Sequence, residues 1–179
     1  MFTELIIRLA GALDAHGIPY MLIGGQAVLV HGEPRMTRDV DVTLGVDIDR
    51  LDAVLRAVGA AQLTPLVDPA TFVKETNVLP CAGGDSGIRV DLIFSFSPFE
   101  RQAIDRAVSR RLGSLDVRFI SVEDLIIQKL VAGRPRDLDD AANVLLKNPG
   151  LNRTHVEQWL GQFEAALGEP FLVRWQSIQ

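Results

Sequence analysis

Apolar residues at Phe2, Leu5, Ile6, Leu9 and Leu13 recur at helical spacing, and Gly17 follows as a stop. The spacing predicts an amphipathic helix over about 2–16. Residues 19–23 (PYMLI) form a short apolar run ending at Gly24-Gly25, which reads as a buried strand; 26–31 (QAVLVH) reads as a short helix, broken by Gly32-Glu33-Pro34. Residues 38–44 (RDVDVTL) then alternate: Val40, Val42 and Leu44 face one way, and Asp39, Asp41 and Thr43 the other. That period of two belongs to a half-buried strand. Leu51, Val54, Leu55 and Val58 share a face of a helix over about 48–59.

The middle of the chain predicts a strand near 61–66, a helix near 69–75, a strand near 76–81 and a turn over 83–87. Residues 88–95 (IRVDLIFS) alternate again, with Val90, Leu92 and Phe94 on one face and Arg89 and Asp91 on the other. A helix near 98–107 and a strand near 115–120 complete the mixed part. From Ser121 the pattern is helical, over about 121–132, 136–147, 152–167 and 169–177. The expected architecture is an α/β (α+β) unit over 1–120, a mixed sheet with flanking helices, followed by a helical bundle over 121–179 that packs against it.

Composition narrows the function. At 179 residues, with 47% apolar and 23% charged positions, the chain buries enough surface to need no disulfide or structural metal. A net charge of −5 argues against a broad, non-specific nucleic-acid binder. Cys81 is the single cysteine, so no internal disulfide and no thiolate zinc site can form, and a cytoplasmic setting is expected. The start of the chain does not read as a signal peptide, and no apolar run has the length of a membrane span.

The chemistry gathers on three acids. Asp39 and Asp41 lie two apart on one strand, so their side chains leave the same face about 7 Å apart. Asp91 occupies the same kind of position on another strand. If the two strands pair, three carboxylates meet. Their mutual repulsion is relieved by a divalent cation, and oxygen-only ligands suit Mg²⁺ or Mn²⁺ better than zinc. A D-x-D pair alone is more often the solvated face of a sheet. Here Gly24-Gly25 sits between a buried strand and a short helix, where a phosphate can approach backbone amides. Arg35, Thr37, Asp39 and Asp41 then follow as R-x-T-x-D-x-D.

The stretch LIGGQAVLVHGEPRMTRDVDV resembles the signature of minimal nucleotidyltransferases of the polymerase-beta superfamily. The resemblance implies that Gly24 and Gly25 grip the triphosphate of an NTP, that Asp39 and Asp41 hold metal, and that Asp91 completes the metal site and helps activate the attacking hydroxyl. Gln26 stands where many members have serine. Gln26 and Thr37 are placed among the nucleotide-binding residues. The second half, SVEDLIIQKLVAGRPRDLDDAANVL, resembles the corresponding stretch of AbiEii-like toxin transferases. There a helix lysine and an R-x-[KR]-D segment face the nucleotide, which points to Lys129, Arg134, Arg136 and Asp137.

A helical wheel places Lys129 within the arc of Val122, Leu125, Ile126 and Leu130, with Glu123, Asp124 and Gln128 outside it. An inward lysine calls for an anion, either a triphosphate or a nearby acid, unless it snorkels to water. On the phosphate reading, truncating Lys129 weakens NTP binding without weakening the fold. Ser121 with Asp124 resembles a capping box. His31 is read as packing or capping, Arg35 as bracing either phosphate or the acids, and Asp139 and Asp140 as solvated or paired with arginines. Trp159, Phe163 and Leu167, at i, i+4 and i+8, are expected in the bundle core. Arg101, Arg106, Arg110 and Arg111 are read as solvated charge, or else as a local surface for a polynucleotide.

The expected reaction is transfer of a nucleoside monophosphate from an NTP to an acceptor hydroxyl. Three readings stay open: a toxin acting on RNA such as tRNA and controlled by an antitoxin, a transferase acting on a small molecule or a protein, and a binding module without turnover.

Overall fold

The computed structural model describes residues 2–84 and 86–179; Asp85, in the turn expected over 83–87, lies outside them. Two compact units divide the chain. One holds the residues up to Gln26 together with Met36–Ile120, and the other holds Ala27–Arg35 together with Ser121–Gln179. Residues 27–35 therefore group with the C-terminal helices rather than with the sheet.

The first unit opens with α1 (Phe2–Ala15) and β1 (Tyr20–Leu22). The helix α2 (Gly24–His31) begins in this unit and continues into the other. After β2 (Asp39–Leu44) come a 3₁₀ turn (Ile48–Arg50), α3 (Leu51–Ala60), β3 (Leu63–Pro65), α4 (Pro69–Thr76), β4 (Val78–Gly83), β5 (Arg89–Phe94), α5 (Pro98–Asp105), β6 (Val108–Leu112) and β7 (Leu115–Phe119). The strands form one seven-stranded mixed sheet in the order β3-β4-β5-β2-β1-β7-β6. Its centre is the parallel pair β2 and β5, flanked by antiparallel partners on both sides.

Alternation decides which face is buried. Val40, Val42, Leu44, Val90, Leu92, Phe94, Leu79 and Cys81 are all fully buried, and each lies on the face opposite the acids. Helix α1 covers this face: a β-carbon on Gly83 of β4 would meet the Leu5 side chain at 2.3 Å. Arg8 of α1 also donates from Nε to the Ala61 carbonyl beyond α3 at 3.4 Å. Cys81 belongs to this core, where burial and the charge of Asp91 push its thiol pKa up to about 12, so it is not a nucleophile.

Helix ends follow local chemistry. Ser97 and Glu100 form a complete capping box at α5, and Asp68 accepts the Thr71 amide at the start of α4. One element was not foreseen. The strand β6 carries Ser109, Arg110 and Arg111 in succession, all exposed, at the sheet edge. Three consecutive polar residues erase the period-two signal, and charge on an edge strand discourages pairing with other chains. Arg110 and Arg111 thus belong to a strand, and Arg111 faces Asp116 at 3.3 Å.

The helical unit contains α6 (Val122–Ala132), α7 (Pro135–Lys147), α8 (Arg153–Leu167) and α9 (Phe171–Ser177). Helix α6 is surrounded by α7, α8 and α9, so the single-arc wheel fails for it. Asp124, expected outside the arc, is fully buried and lies 3.0 Å from His155 Nε2. Ser121 accepts the Asp124 amide at 3.1 Å, as the expected cap requires, while the Asp124 carboxylate turns to His155.

Helix α8 also rotates from its expected orientation. Val156 and Leu160 are its buried residues, Trp159 and Phe163 are half-buried, and Leu167 is 59% exposed. The role expected for that stripe falls instead to Phe171 and Trp175 of α9, both fully buried. Trp175 donates from Nε1 to Glu157 at 3.1 Å, and the Arg153 guanidinium lies 5.6 Å from its ring centroid. None of the helices among the described residues is long and apolar enough to cross a membrane.

Trp175→Ala should destabilise the protein by ~3–5 kcal/mol, the usual cost of emptying a large aromatic site. Trp175→Phe, which keeps most of the packing and loses the Glu157 bond, should cost distinctly less. Urea denaturation of the three proteins checks the order.

Candidate active site

The register of β2 against β5 places the acids. Asp41 is the Cα partner of Asp91, and Asp39 is the partner of Arg89. Because parallel partners point to the same face, Asp39, Asp41 and Asp91 share the face opposite the core, as the alternation predicts. All three are half-buried.

The turn after β1 meets this face at Asp41. The Ile23 amide donates to the Asp41 carbonyl at 2.9 Å. Gly24 has φ +59°, and a β-carbon there would stand 2.2 Å from Asp41 Oδ2. Any other side chain would therefore be strained in the backbone and would collide with the carboxylate. Gln26, at the position where related signatures have serine, donates from Nε2 to the Asp39 carbonyl at 3.5 Å, a long contact that braces the start of β2. Thr37 Oγ1 lies 3.2 Å from Asp39 Oδ1 and 3.4 Å from its carbonyl. Its single proton serves one acceptor at a time, and the carboxylate is the nearer.

The third acid already has a cation beside it. Arg89 Nε donates to both Asp91 oxygens at 3.0 Å. Among the described residues, no three His, Cys, Asp or Glu side chains stand ready as a metal cage. The donor set nevertheless suits a hard divalent ion in chemistry: oxygen ligands only, on one sheet face, with Asp41 opposite Asp91. Arg89 was legible only as a polar-face residue. Its i−2 position relative to Asp91 was the signal for the pair.

Residues expected to bind nucleotide also occur in the helical unit, inside a buried cluster of charge. Lys129 Nζ donates to Asp137 Oδ1 and Asp140 Oδ2, both at 2.8 Å, and all three side chains are at least nine-tenths buried. Arg134 also donates to Asp137. Arg35 Nη2 donates to Asp140 at 3.0 Å, and its Nε makes an ion-pair contact with the same carboxylate at 2.9 Å. Burial alone would raise the Asp137 pKa, but hydrogen bonds and charge from Arg134 and Lys129 outweigh it and hold it below the ordinary carboxylate value.

This cluster bears on several expectations. The inward lysine is real, and nearby acids supply its anion. Asp140 is not a solvated residue: it is buried and paired with Arg35, whereas Asp139 is exposed. Arg35 braces an acid outside the D-x-D pair. Arg136 is exposed in the first turn of α7. His31 is buried, and its carbonyl accepts from Asn148 Nδ2 at 2.7 Å, which ties the end of α2 to the end of α7.

A mixed sheet with two acids on one strand, a third opposite them and a glycine turn packed on the carboxylate defines a nucleotidyltransferase fold. Solved structures agree on the fold. The antibiotic-resistance factor ANT(2'')-Ia in solution aligns with TM-score 0.62 at 16% identity, over 93% of this chain and 92% of that one. The same enzyme in complex with adenylyl-2''-tobramycin gives 0.60 at 17%, over 92% and 97%. The lincosamide antibiotic adenylyltransferase LnuA, lincomycin-bound, gives 0.52 at 14%, over 79% and 94%. No curated protein matches the sequence. Residues 8–171 match the family described as nucleotidyl transferase AbiEii toxin, Type IV TA system. The chain belongs to that family and is a nucleotidyltransferase; a type IV system implies an antitoxin as partner.

Gly24→Ala should lower stability by ~1–3 kcal/mol through backbone strain, with a further loss of activity because Asp41 is displaced. Thermal melts alongside a transfer assay check both.

Lys129→Met should cost ~3–5 kcal/mol near neutral pH, because it leaves two buried carboxylates without their shared cation. This reverses the expectation that Lys129 can be truncated without harm to the fold. The depressed Asp137 pKa fixes the pH dependence. Its contribution is full above its unfolded value of about 3.9 and is lost as pH falls through the lower folded value. The gap between wild type and variant should therefore narrow below about pH 4, as denaturation across a pH series would show.

Proposed function

We propose that the protein transfers a nucleoside monophosphate from an NTP to a hydroxyl of an RNA acceptor, tRNA among the candidates, as a toxin held in check by its antitoxin. The observation that carries the chemistry is the pairing of Asp41 with Asp91 on the face opposite the core, beside the Gly24 turn. Family membership supports the toxin setting.

In this reading Asp39, Asp41 and Asp91 hold Mg²⁺ or Mn²⁺. Such an ion, when bound, neutralises phosphate charge and aligns in-line attack. The backbone at Gly24 and Gly25 admits the triphosphate, while Gln26 and Thr37 keep the start of β2 in place. The acceptor hydroxyl oxygen forms a bond to the α-phosphorus as the bond from that phosphorus to the β-phosphate oxygen breaks. Pyrophosphate leaves, and the hydroxyl proton passes to the Asp91 carboxylate. The nucleotide-binding role of Lys129, Arg136 and Asp137 rests on the family resemblance. Lys129 and Asp137 additionally hold one another in the buried cluster.

A small-molecule acceptor is the second reading, and the antibiotic adenylyltransferases among the structural neighbours favour it. Labelled NTPs offered with total RNA, with aminoglycosides and lincosamides, and with the protein itself separate the two. Label in RNA alone supports the first; label in the antibiotics alone replaces it with the second. Asp41→Asn should reduce transfer at least ~100-fold, since several kcal/mol of charge stabilisation at about 1.36 kcal/mol per decade is removed. The melting temperature should stay near wild type. Transfer at the wild-type rate would remove Asp41 from the mechanism.

A further inference from the structure

The arginine on the acid face has a placement that a merely solvated strand residue does not need. Arg89 begins β5, two residues before Asp91, so both side chains leave the same face. Its cross-strand neighbours in register are Asp39 of β2 on one side and Ala82 of β4 on the other. The acids on its face thus lie to one side and along its own strand, and a small residue lies opposite. The guanidinium Nε points to Asp91 and donates to both carboxylate oxygens at 3.0 Å.

The two partners differ in freedom. The Arg89 side chain is 58% exposed, the Asp91 side chain 19%. The acid lies partly buried on the sheet and the arginine is the solvent-exposed member. An exposed pair of this kind is worth only ~0.2–1 kcal/mol. That is enough to orient a carboxylate, yet weak enough for a divalent cation to displace. The same two oxygens that Nε engages are the ones Asp91 would offer a metal.

Building on the metal-site reading above, we propose that Arg89 is a positioning residue for Asp91. It orients the third carboxylate through Nε and competes with the divalent cation for its oxygens, so that it sets how tightly the site takes up metal. Cation uptake then involves an exchange in which Arg89 gives up Asp91, and the nucleotide's own charge, by drawing the cation in, favours that exchange.

The test is Mn²⁺ binding to the full-length protein, measured by the electron paramagnetic resonance signal of free Mn²⁺. Removing the competitor in Arg89→Gln should tighten binding about two- to fivefold, since ~1 kcal/mol at 1.4 kcal/mol per decade is about fivefold. Arg38→Gln removes the same charge next to Asp39 and is the control for general electrostatics; it should change affinity less than Arg89→Gln does. Equal tightening in both variants would show a generic charge effect and overturn the proposal. So would unchanged affinity in Arg89→Gln. If wild type binds Mn²⁺ and Asp41→Asn does not, while Arg89→Gln matches wild type, the metal site stands and only the role of Arg89 falls. If wild type takes up no Mn²⁺, the metal site and the role of Arg89 fall together.

Discussion

The parallel pairing of β2 with β5 is the constraint on which the rest of the sheet unit depends. Val40, Val42 and Leu44 are buried against Val90, Leu92 and Phe94, and this requires Asp41 to stand opposite Asp91 on the other face. A slip of one residue would turn the acids into the core and the valines into water. The energy that aligns the candidate site is thus hydrophobic, and it is spent on the face that carries no chemistry. The acids repel one another and would not gather unaided. They are brought together because six apolar side chains on the opposite face are buried together.

The helical unit solves a different problem. Lys129 is buried with two carboxylates, and arginines reach the same acids from outside: Arg134 to Asp137 and Arg35 to Asp140. Such a cluster need not make the protein more stable than an apolar core would, but none of its buried members, Lys129, Asp137 and Asp140, can be removed cheaply. What it confers is connection. Arg35 comes from the segment after α2, Lys129 from α6, and Asp137 and Asp140 from α7. The bond from Asn148 to the His31 carbonyl repeats that link at the other end of α7. Together they explain why residues 27–35 group with the C-terminal helices although they lie far from them in the chain.

Family and fold bear on different parts of the function. The family match covers most of the chain and carries nucleotidyl transfer and the toxin-antitoxin setting. ANT(2'')-Ia and LnuA, below 20% identity, share the fold and are described with antibiotics. Fold alone does not fix the acceptor, because function lives in sites grafted on a common core.

Periodicity alone determined the strands 39–44 and 89–94, the face that carries Asp39, Asp41 and Asp91, and the inward aim of Lys129, because each is a short-range pattern of apolar and polar positions. The turn at Gly24 was legible only in combination, because a glycine pair between a strand and a helix is common and gained meaning from the R-x-T-x-D-x-D that follows it. Tertiary structure decided the rest. Which anion meets Lys129, why Asp124 is buried, and why Phe171 and Trp175 are in the core while Leu167 is not all depend on which helices surround α6 and α8. A helical wheel assumes one buried face, and α6 has three helices packed against it. The edge strand β6 was hidden because Ser109, Arg110 and Arg111 have no alternation to read; only pairing with β7 makes them a strand. Partners far apart in sequence, such as Arg35 and Asp140, leave no trace in local spacing, because the fold alone brings them within hydrogen-bonding distance.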